Sequence, residues 1–273
     1  MSTFESILIV GCGNMGGAML AGWLAGGIEA RRFTVADPRY DQAPEGVTVL
    51  RELPAQDGYD AILLGVKPQM LGDVAPAVEP LAGPGTVILS ILAGVELATL
   101  AKRFPRAGAH VRVMPNLSAA LGKSPIGLVS AEAGEKFDAR QRAAVDALMA
   151  PLGTAEWLES EGLMDLVTAL AGSGPAFVYR FIDALASGAV ALGFEPGQAE
   201  RLAVATVEGA ALLAAASPYS PGELARRVAS PGGTTQAGLD VLDRDGALAQ
   251  LVEQTLRAAR DRSIEMAAEA RKA

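Results

Sequence analysis

Ile7-Leu8-Ile9-Val10-Gly11-Cys12-Gly13-Asn14-Met15-Gly16-Gly17-Ala18-Met19-Leu20 decides the fold of the first half of this chain. Four apolar residues read as a buried strand, the glycines as a tight turn, and the small and apolar residues that follow as a helix. In such a unit each glycine has its own task. Gly11 permits the turn, Gly13 lets the backbone approach a pyrophosphate, and Gly16 lets helix and strand pack closely. The helix N-terminus then offers N–H donors and a positive dipole end to phosphates. Gly11, Cys12, Gly13, Asn14, Met15 and Gly16 are therefore candidate dinucleotide-binding residues. The alternative is a structural turn in an α/β protein that binds nothing.

Working outward, short apolar runs alternate with helical patterns. Strand signals lie at residues 6–10, 32–36, 61–66, 86–91 and 109–113, with further ones at 127–130 and 154–157. Helical patterns lie at 14–25, 69–81, 97–103 and 138–150. Alternation of this kind predicts an α/β Rossmann domain with a doubly wound, mainly parallel sheet over residues 1–160. Past that point the strand signals stop. Residues 163–171, 175–192, 196–216, 221–228, 234–243 and 247–270 all read as helices, several opened by proline in the first turn. An all-helical domain over residues 161–273 follows. Its helices are small and apolar on more than one face, as in Ala184-Leu185-Ala186-Ser187-Gly188-Ala189-Val190-Ala191. Such a helix must be buried all round, and a domain of about 110 residues has little interior to offer. The expectation is that it packs against a second copy of itself as a homodimer.

Composition narrows the partners. The 273 residues carry a net charge of −8 and no Lys/Arg cluster beyond pairs such as Arg226-Arg227. No nucleic-acid partner is expected, because phosphate backbones require a basic footprint. Cys12 is the only cysteine, which excludes an intrachain disulfide and a cysteine-based metal cluster and points to the cytoplasm. No metal site and no membrane association are expected. Met1 to Glu5 lack a basic stretch, and no apolar run reaches the ~18 residues of a membrane span.

The nucleotide is addressed by Asp37 and Arg39. An acidic residue ending the second strand, about 20 positions past the glycines, accepts from the adenine ribose 2′-hydroxyl and repels a 2′-phosphate. Asp37, after Thr34-Val35-Ala36, has that place and favours NADH. Arg39 could instead pair with a 2′-phosphate if the loop turned Asp37 aside, which would admit NADPH. A third possibility is that Asp37 only closes an Asx turn before Pro38.

Later motifs point to a family. Gly65-Val66-Lys67-Pro68-Gln69 ends one strand at the ligand-binding edge of the sheet, Ser90-Ile91-Leu92-Ala93-Gly94-Val95 ends the next, and Val113-Met114-Pro115-Asn116 follows another. The helical half adds Gly172-Ser173-Gly174-Pro175-Ala176-Phe177 and Ser230-Pro231-Gly232-Gly233-Thr234-Thr235. This set, in this order, closely resembles the pyrroline-5-carboxylate reductases, which perform the last reduction of proline biosynthesis. The resemblance spans essentially the whole chain. It implies a Rossmann domain and a helical domain interlocked in a dimer, often assembled into decamers. It also implies a nicotinamide beside Val66, Lys67, Pro68, Ala93 and Gly94. The substrate would be held by Ser230, Gly232, Gly233, Thr234 and Thr235, with Thr235 in reach of its nitrogen. Where family members carry Thr-Pro after the asparagine, this chain has Leu117-Ser118. Family members also commonly carry Ser, Thr or Arg in the loop that holds Asp37, in keeping with their usual NADPH preference.

The residues suit that chemistry. The loop at residues 230–235 leads into a helix, so the amides of Gly233, Thr234 and Thr235 can form a nest for a carboxylate; an ordinary N-cap by Thr234 or Ser230 is the plainer reading. A protonated imine brings its own proton, which fits a chain with a single histidine, His110, in a strand pattern. Lys67 is the candidate functional charge. Two alternatives remain: a related reductase of another cyclic imine or of a 3-hydroxy acid, and a nucleotide sensor without turnover. Hydroxy-acid reductases of this plan use a helix lysine as proton donor, and residues 163–216 contain none.

Overall fold

The apolar runs of the first half become one sheet because each can be covered on both faces. In the computed structural model, which describes residues 3–41, 44–55, 58–131 and 137–270, the strands are β1 (Ile7–Val10), β2 (Phe33–Ala36), β3 (Thr48–Leu50), β4 (Ala61–Leu64), β5 (Val87–Ser90), β6 (Ala109–Met114), β7 (Ser124–Ser130) and β8 (Gly153–Trp157). They lie in the order β3-β2-β1-β4-β5-β6-β7-β8. All neighbours run parallel except β6 and β7. Every residue of β1 and β4 is buried, as continuous apolar runs in a doubly covered sheet should be. β3 was not foreseen: one exposed and two half-buried residues at the sheet edge give too short a pattern to read.

Alternation along each strand sorts the core into two layers. Ile7 and Ile9 face one with Met19, Leu20, Trp23 and Phe33, while Leu8 and Val10 face the other with Leu71, Val78, Leu100 and Phe104. In the first layer Trp23 stacks on Phe33 with ring centroids 5.2 Å apart and donates its indole N–H to the Leu148 carbonyl at 2.7 Å. The covering helices are α1 (Asn14–Ala25), α2 (Leu71–Val78), α3 (Leu97–Arg103) and α4 (Ala139–Met149). α4 opens on a capping box between Asp138 and Gln141. α2 is shorter than the predicted 69–81, because single 3-10 turns at Pro68–Met70 and Glu79–Leu81 bracket it.

Beyond β8 the chain is helical: α5 (Met164–Val167), a π-helical turn at Thr168–Gly172, α6 (Gly174–Ala191), α7 (Pro196–Ala216), α8 (Pro221–Val228), α9 (Thr234–Leu242) and α10 (Ala247–Ala270). Two compact units result, one holding the chain up to Gly172 together with the stretch from Ala259, the other Ser173–Ala258. The first unit thus reaches past residue 160, and the physical reason is visible. Glu161 Oε1 accepts from Arg112 Nη1 at 2.8 Å and from the Leu97 amide at 2.7 Å, tying the start of the helical region to β6 and α3. Met164, Ala169 and Ala171 are buried, and Ser263 of α10 donates to Asp165 Oδ1 at 2.7 Å. In the second unit, α6 and α7 pack together, yet α6 buries no residue and Tyr179, Leu192 and Leu213 are each more than two-thirds exposed. Among the described residues no single helix is long and apolar enough to cross a membrane.

Removing the Glu161 carboxylate leaves the guanidinium of Arg112, only 7% exposed, without its counter-ion. Glu161→Ala should lower the stability of the first unit by about 2 kcal/mol, read as a drop in urea midpoint. An unchanged midpoint would show that the pair is not what holds this junction.

Candidate active site

The glycine turn and the Val66-Lys67-Pro68 loop meet because two glycines face each other. Gly11 has φ +85, and a Cβ there would lie 2.8 Å from both the Val66 amide nitrogen and its Cγ1. A Cβ on Gly65 would lie 2.3 Å from the Gly11 carbonyl oxygen. Gly16 closes the third side, with a Cβ position 3.0 Å from the same oxygen. Gly13 differs: a Cβ there would meet no protein atom within 4 Å. Among the described residues no internal contact requires a glycine at 13. Gly13 is also the N-cap of α1, no side chain caps that helix, and its first turn holds no acid. The amides of Asn14, Met15 and Gly16 are therefore available to an anion. A dinucleotide pyrophosphate fits these residues.

Asp37 closes the Asx turn that the sequence offered and adds a bond that it did not. Its Oδ2 accepts from the Cys12 amide at 2.8 Å, pinning the glycine turn to the end of β2, and its Oδ1 accepts from the Arg39 amide at 2.8 Å, closing an Asx turn. The Arg39 side chain is exposed. The Cys12 thiol is buried against Tyr40, and burial pushes it from the ordinary 9.0 up to about 11, with Tyr40 opposing and the Asp37 charge adding to the rise. Lys67, whose carbonyl accepts from Met70 to close a 3-10 turn, has an exposed side chain with no ion-pair partner among the described residues.

The Ala93-Gly94 loop lies at the end of β5, in the same unit. Gly94 is buried, and a Cβ on it would stand 3.1 Å from the Ala267 Cα, so the far end of α10 packs directly on this loop. Ala267 and Ser263 were not singled out by sequence; a small residue on a long helix carries no signal until its neighbour is known. Asn116 is a buried knot. It donates to the Ala171 carbonyl at 2.9 Å beside the π-helical turn, and its Oδ1 accepts from both the amide and the hydroxyl of Ser118. A proline at 118 could donate neither bond, so Leu117-Ser118 replaces one turn device by another. His110 sits inside the sheet on β6, its Nε2 3.0 Å from the Phe104 carbonyl, in a structural position.

In the second unit the loop at residues 230–235 folds as a turn running into α9. Gly232 has φ +69, and the Gly233 amide donates to the Ser230 carbonyl at 2.9 Å. Gly233, rather than Thr234 or Ser230, is the N-cap, and no side chain caps the helix. The expected nest therefore loses the Gly233 amide, already engaged within the turn, and retains those of Thr234 and Thr235, both on exposed residues. Ser230, Gly232, Gly233, Thr234 and Thr235 thus form one continuous turn. Among the described residues no group of three or more His, Cys, Asp or Glu side chains could hold a metal.

Gly65→Ala should weaken nucleotide binding more than about tenfold, because the Cβ must displace the Gly11 carbonyl; titration calorimetry with NAD+ and NADP+ reads the loss. The raised Cys12 pKa makes the native state hold its proton more tightly than the unfolded chain, so this contribution to stability is complete below pH 9 and disappears as pH rises toward 11. Folded protein at pH 8 should resist iodoacetamide at Cys12, and mass spectrometry should find modification only after unfolding or near pH 11.

Comparison with known proteins agrees with this architecture. The family model for pyrroline-5-carboxylate reductase dimerisation matches residues 161–266, and that for NADP oxidoreductase, coenzyme F420-dependent, matches residues 6–94. A pyrroline-5-carboxylate reductase of Pseudomonas aeruginosa is 37% identical, with 98% of each chain covered. One of Methanosarcina acetivorans is 34% identical over 96% of this chain and 98% of its own. The solved structure of a pyrroline-5-carboxylate reductase of Coxiella burnetii superimposes with a TM-score of 0.88 at 30% identity, covering 96% of this chain and 98% of that one. With full-length relatives of this similarity and a matching helical half, the chain belongs to the pyrroline-5-carboxylate reductase family.

Proposed function

We propose that this protein reduces the cyclic imine 1-pyrroline-5-carboxylate to proline with NADH or NADPH as reductant. The observation that carries the reading is the uncapped, glycine-led N-terminus of α9 in the distinctive 230–235 segment, in a chain whose full-length relatives bear that activity in their names. The nicotinamide nucleotide, when bound at the glycine turn, supplies the hydride. The amides of Thr234 and Thr235 hold the substrate carboxylate, needing no formal positive charge to do so. Ser230 and Gly232 shape the turn, and the Thr235 hydroxyl hydrogen-bonds the ring nitrogen. Val66, Pro68, Ala93 and Gly94 seat the nicotinamide, with Lys67 as the positive charge beside it. The substrate enters as its iminium, so no side chain has to deliver a proton. What the residues contribute is position: holding two reactants in attacking geometry is worth up to roughly 7–11 kcal/mol.

The open apolar faces of α6 and α7 fit a helical unit that is completed by a second copy. We take the working form to be a cytoplasmic homodimer whose dimers can assemble further, into decamers, with no nucleic-acid or membrane partner. The 1–160 and 161–273 division remains the functional one, nucleotide-binding first and substrate-binding second.

The decisive assay follows oxidation of each reduced nucleotide on adding pyrroline-5-carboxylate. Turnover with release of proline is expected, and none with either nucleotide would refute the reading. Thr235→Ala should lower kcat/KM about tenfold, near 1.4 kcal/mol of transition-state stabilisation. Unchanged kinetics in that variant would remove Thr235 from the chemistry.

A further inference from the structure

The loop between β5 and α3 carries Ala93 and Gly94, and much of what holds it comes from far along the chain. At its start the Ile91 amide donates to the Leu64 carbonyl at 3.2 Å, and within it the Val95 amide closes a turn on the Leu92 carbonyl at 3.3 Å. Its exit is held differently. Glu96 stands in the capping position of α3, but its side chain makes no capping bond, and the Leu97 amide donates instead to Glu161 Oε1 at 2.7 Å. The middle of the loop is held by α10. Gly94, buried and at φ +75, lies so close that a Cβ on it would stand 3.1 Å from the Ala267 Cα and 3.3 Å from the Ala267 amide nitrogen. Backbone therefore rests on backbone, and any shift of the helix passes directly to the loop.

The seat of α10 is narrow. Over residues 247–268 only Ser263 and Ala267 are buried, at 7% and 6% exposure, one turn apart on one face. Two side chains this small bury little apolar area. The directional element is the bond from Ser263 Oγ to Asp165 Oδ1 at 2.7 Å, which is charge-assisted. Asp165 lies one turn past Glu161, and Met164 between them is buried at 1% exposure. One short, anchored stretch thus holds both the loop exit, through Glu161, and the helix that covers the middle of the loop, through Asp165. The contacts close a ring: Leu97, Glu161, Asp165, Ser263, Ala267 and Gly94.

We propose that Ser263 and Asp165 are positioning residues for the nicotinamide. Their bond seats α10 on Gly94 and so fixes the loop against which the ring lies, and they act through Gly94 rather than on the reactants. The inference rests on the reductase reading above, which puts the nicotinamide beside Ala93 and Gly94. A displacement of about 1 Å at such a seat can cost roughly a hundredfold in rate.

The test compares the whole protein with its Ser263→Ala, Asp165→Ala and Asp165→Asn variants and the double alanine variant. Hydrogen exchange without nucleotide reads residues 92–97. Calorimetric titration with whichever reduced nucleotide binds tighter gives the affinity and counts the sites, and kcat with pyrroline-5-carboxylate is expressed per site so counted. Ser263→Ala should speed exchange over 92–97 about threefold or more while β1 keeps its rates. It should weaken the nucleotide about threefold and lower kcat per site about fivefold or more. Asp165→Ala should match it, and the double variant should be no worse than either single one, since each loses the same bond. Asp165→Asn keeps an acceptor oxygen and should restore most of the rate.

A bond that only stabilised the helix would cost binding sites and leave the rate of each remaining site unchanged. That result, unmoved exchange over 92–97, or additive losses in the double variant would overturn the proposal. If the unaltered protein bound nucleotide but did not reduce the imine, the substrate reading would fall alone. Faster exchange and weaker nucleotide in Ser263→Ala would then still support the brace, and unmoved values would overturn it. Binding of neither nucleotide would refute both.

Discussion

Two backbones pass so closely at the ends of β1 and β4 that neither tolerates a side chain. The Gly11 carbonyl rests where a Cβ of residue 65 would be, and the Val66 amide where a Cβ of residue 11 would be. β1 and β4 are adjacent parallel strands at the point where the strand order reverses. Loops leave this point in opposite directions, opening the crevice in which doubly wound sheets bind ligands. Because the loops touch there, residues far apart in sequence, at 11–16, 37 and 65–68, share one edge. A single methyl group at Gly65 would prise that edge open.

The same local arrangement occurs in both units. α1 and α9 both start on a glycine N-cap, carry no capping side chain and have no acid in the first turn. Ordinary helices fill these positions with Ser, Thr, Asp or Asn to satisfy their orphan amides. Leaving them bare costs helix stability and leaves N–H donors at a positive dipole end, a local field that favours an anion even in a chain of net charge −8. Local donors outweigh a distant, solvent-screened net charge.

What was legible in the sequence was whatever a local pattern determines. β1, β4, α1, α3, α7, α8 and α10 follow from apolar periodicity and from glycine or proline at element ends. β3 was not legible, since three residues at the edge gain their strand only by pairing with β2. The glycine turn could be read as a nucleotide cradle, but the double engagement of Asp37 could not, because it depends on where Cys12 and Arg39 arrive in space. The bond from the Gly233 amide to the Ser230 carbonyl is likewise set by turn geometry and has no sequence signature. The tie between Arg112 and Glu161 spans 49 positions and has no sequence signature at all. Pattern reveals elements; side chains that bridge them are settled only by tertiary placement.

The first unit is interrupted: the chain leaves it at Gly172, builds the second unit, and returns at Ala259 to lay Ser263 on Asp165 and Ala267 on Gly94. On a ribosome, the loop at the end of β5 must therefore emerge bare and wait while the whole intervening insertion is translated. Vectorial synthesis cannot finish the nucleotide-binding half first. Its last stretch of cover arrives only after that insertion, so a chain stopped before Ala267 would have every strand of the sheet synthesised and the loop after β5 without its covering helix.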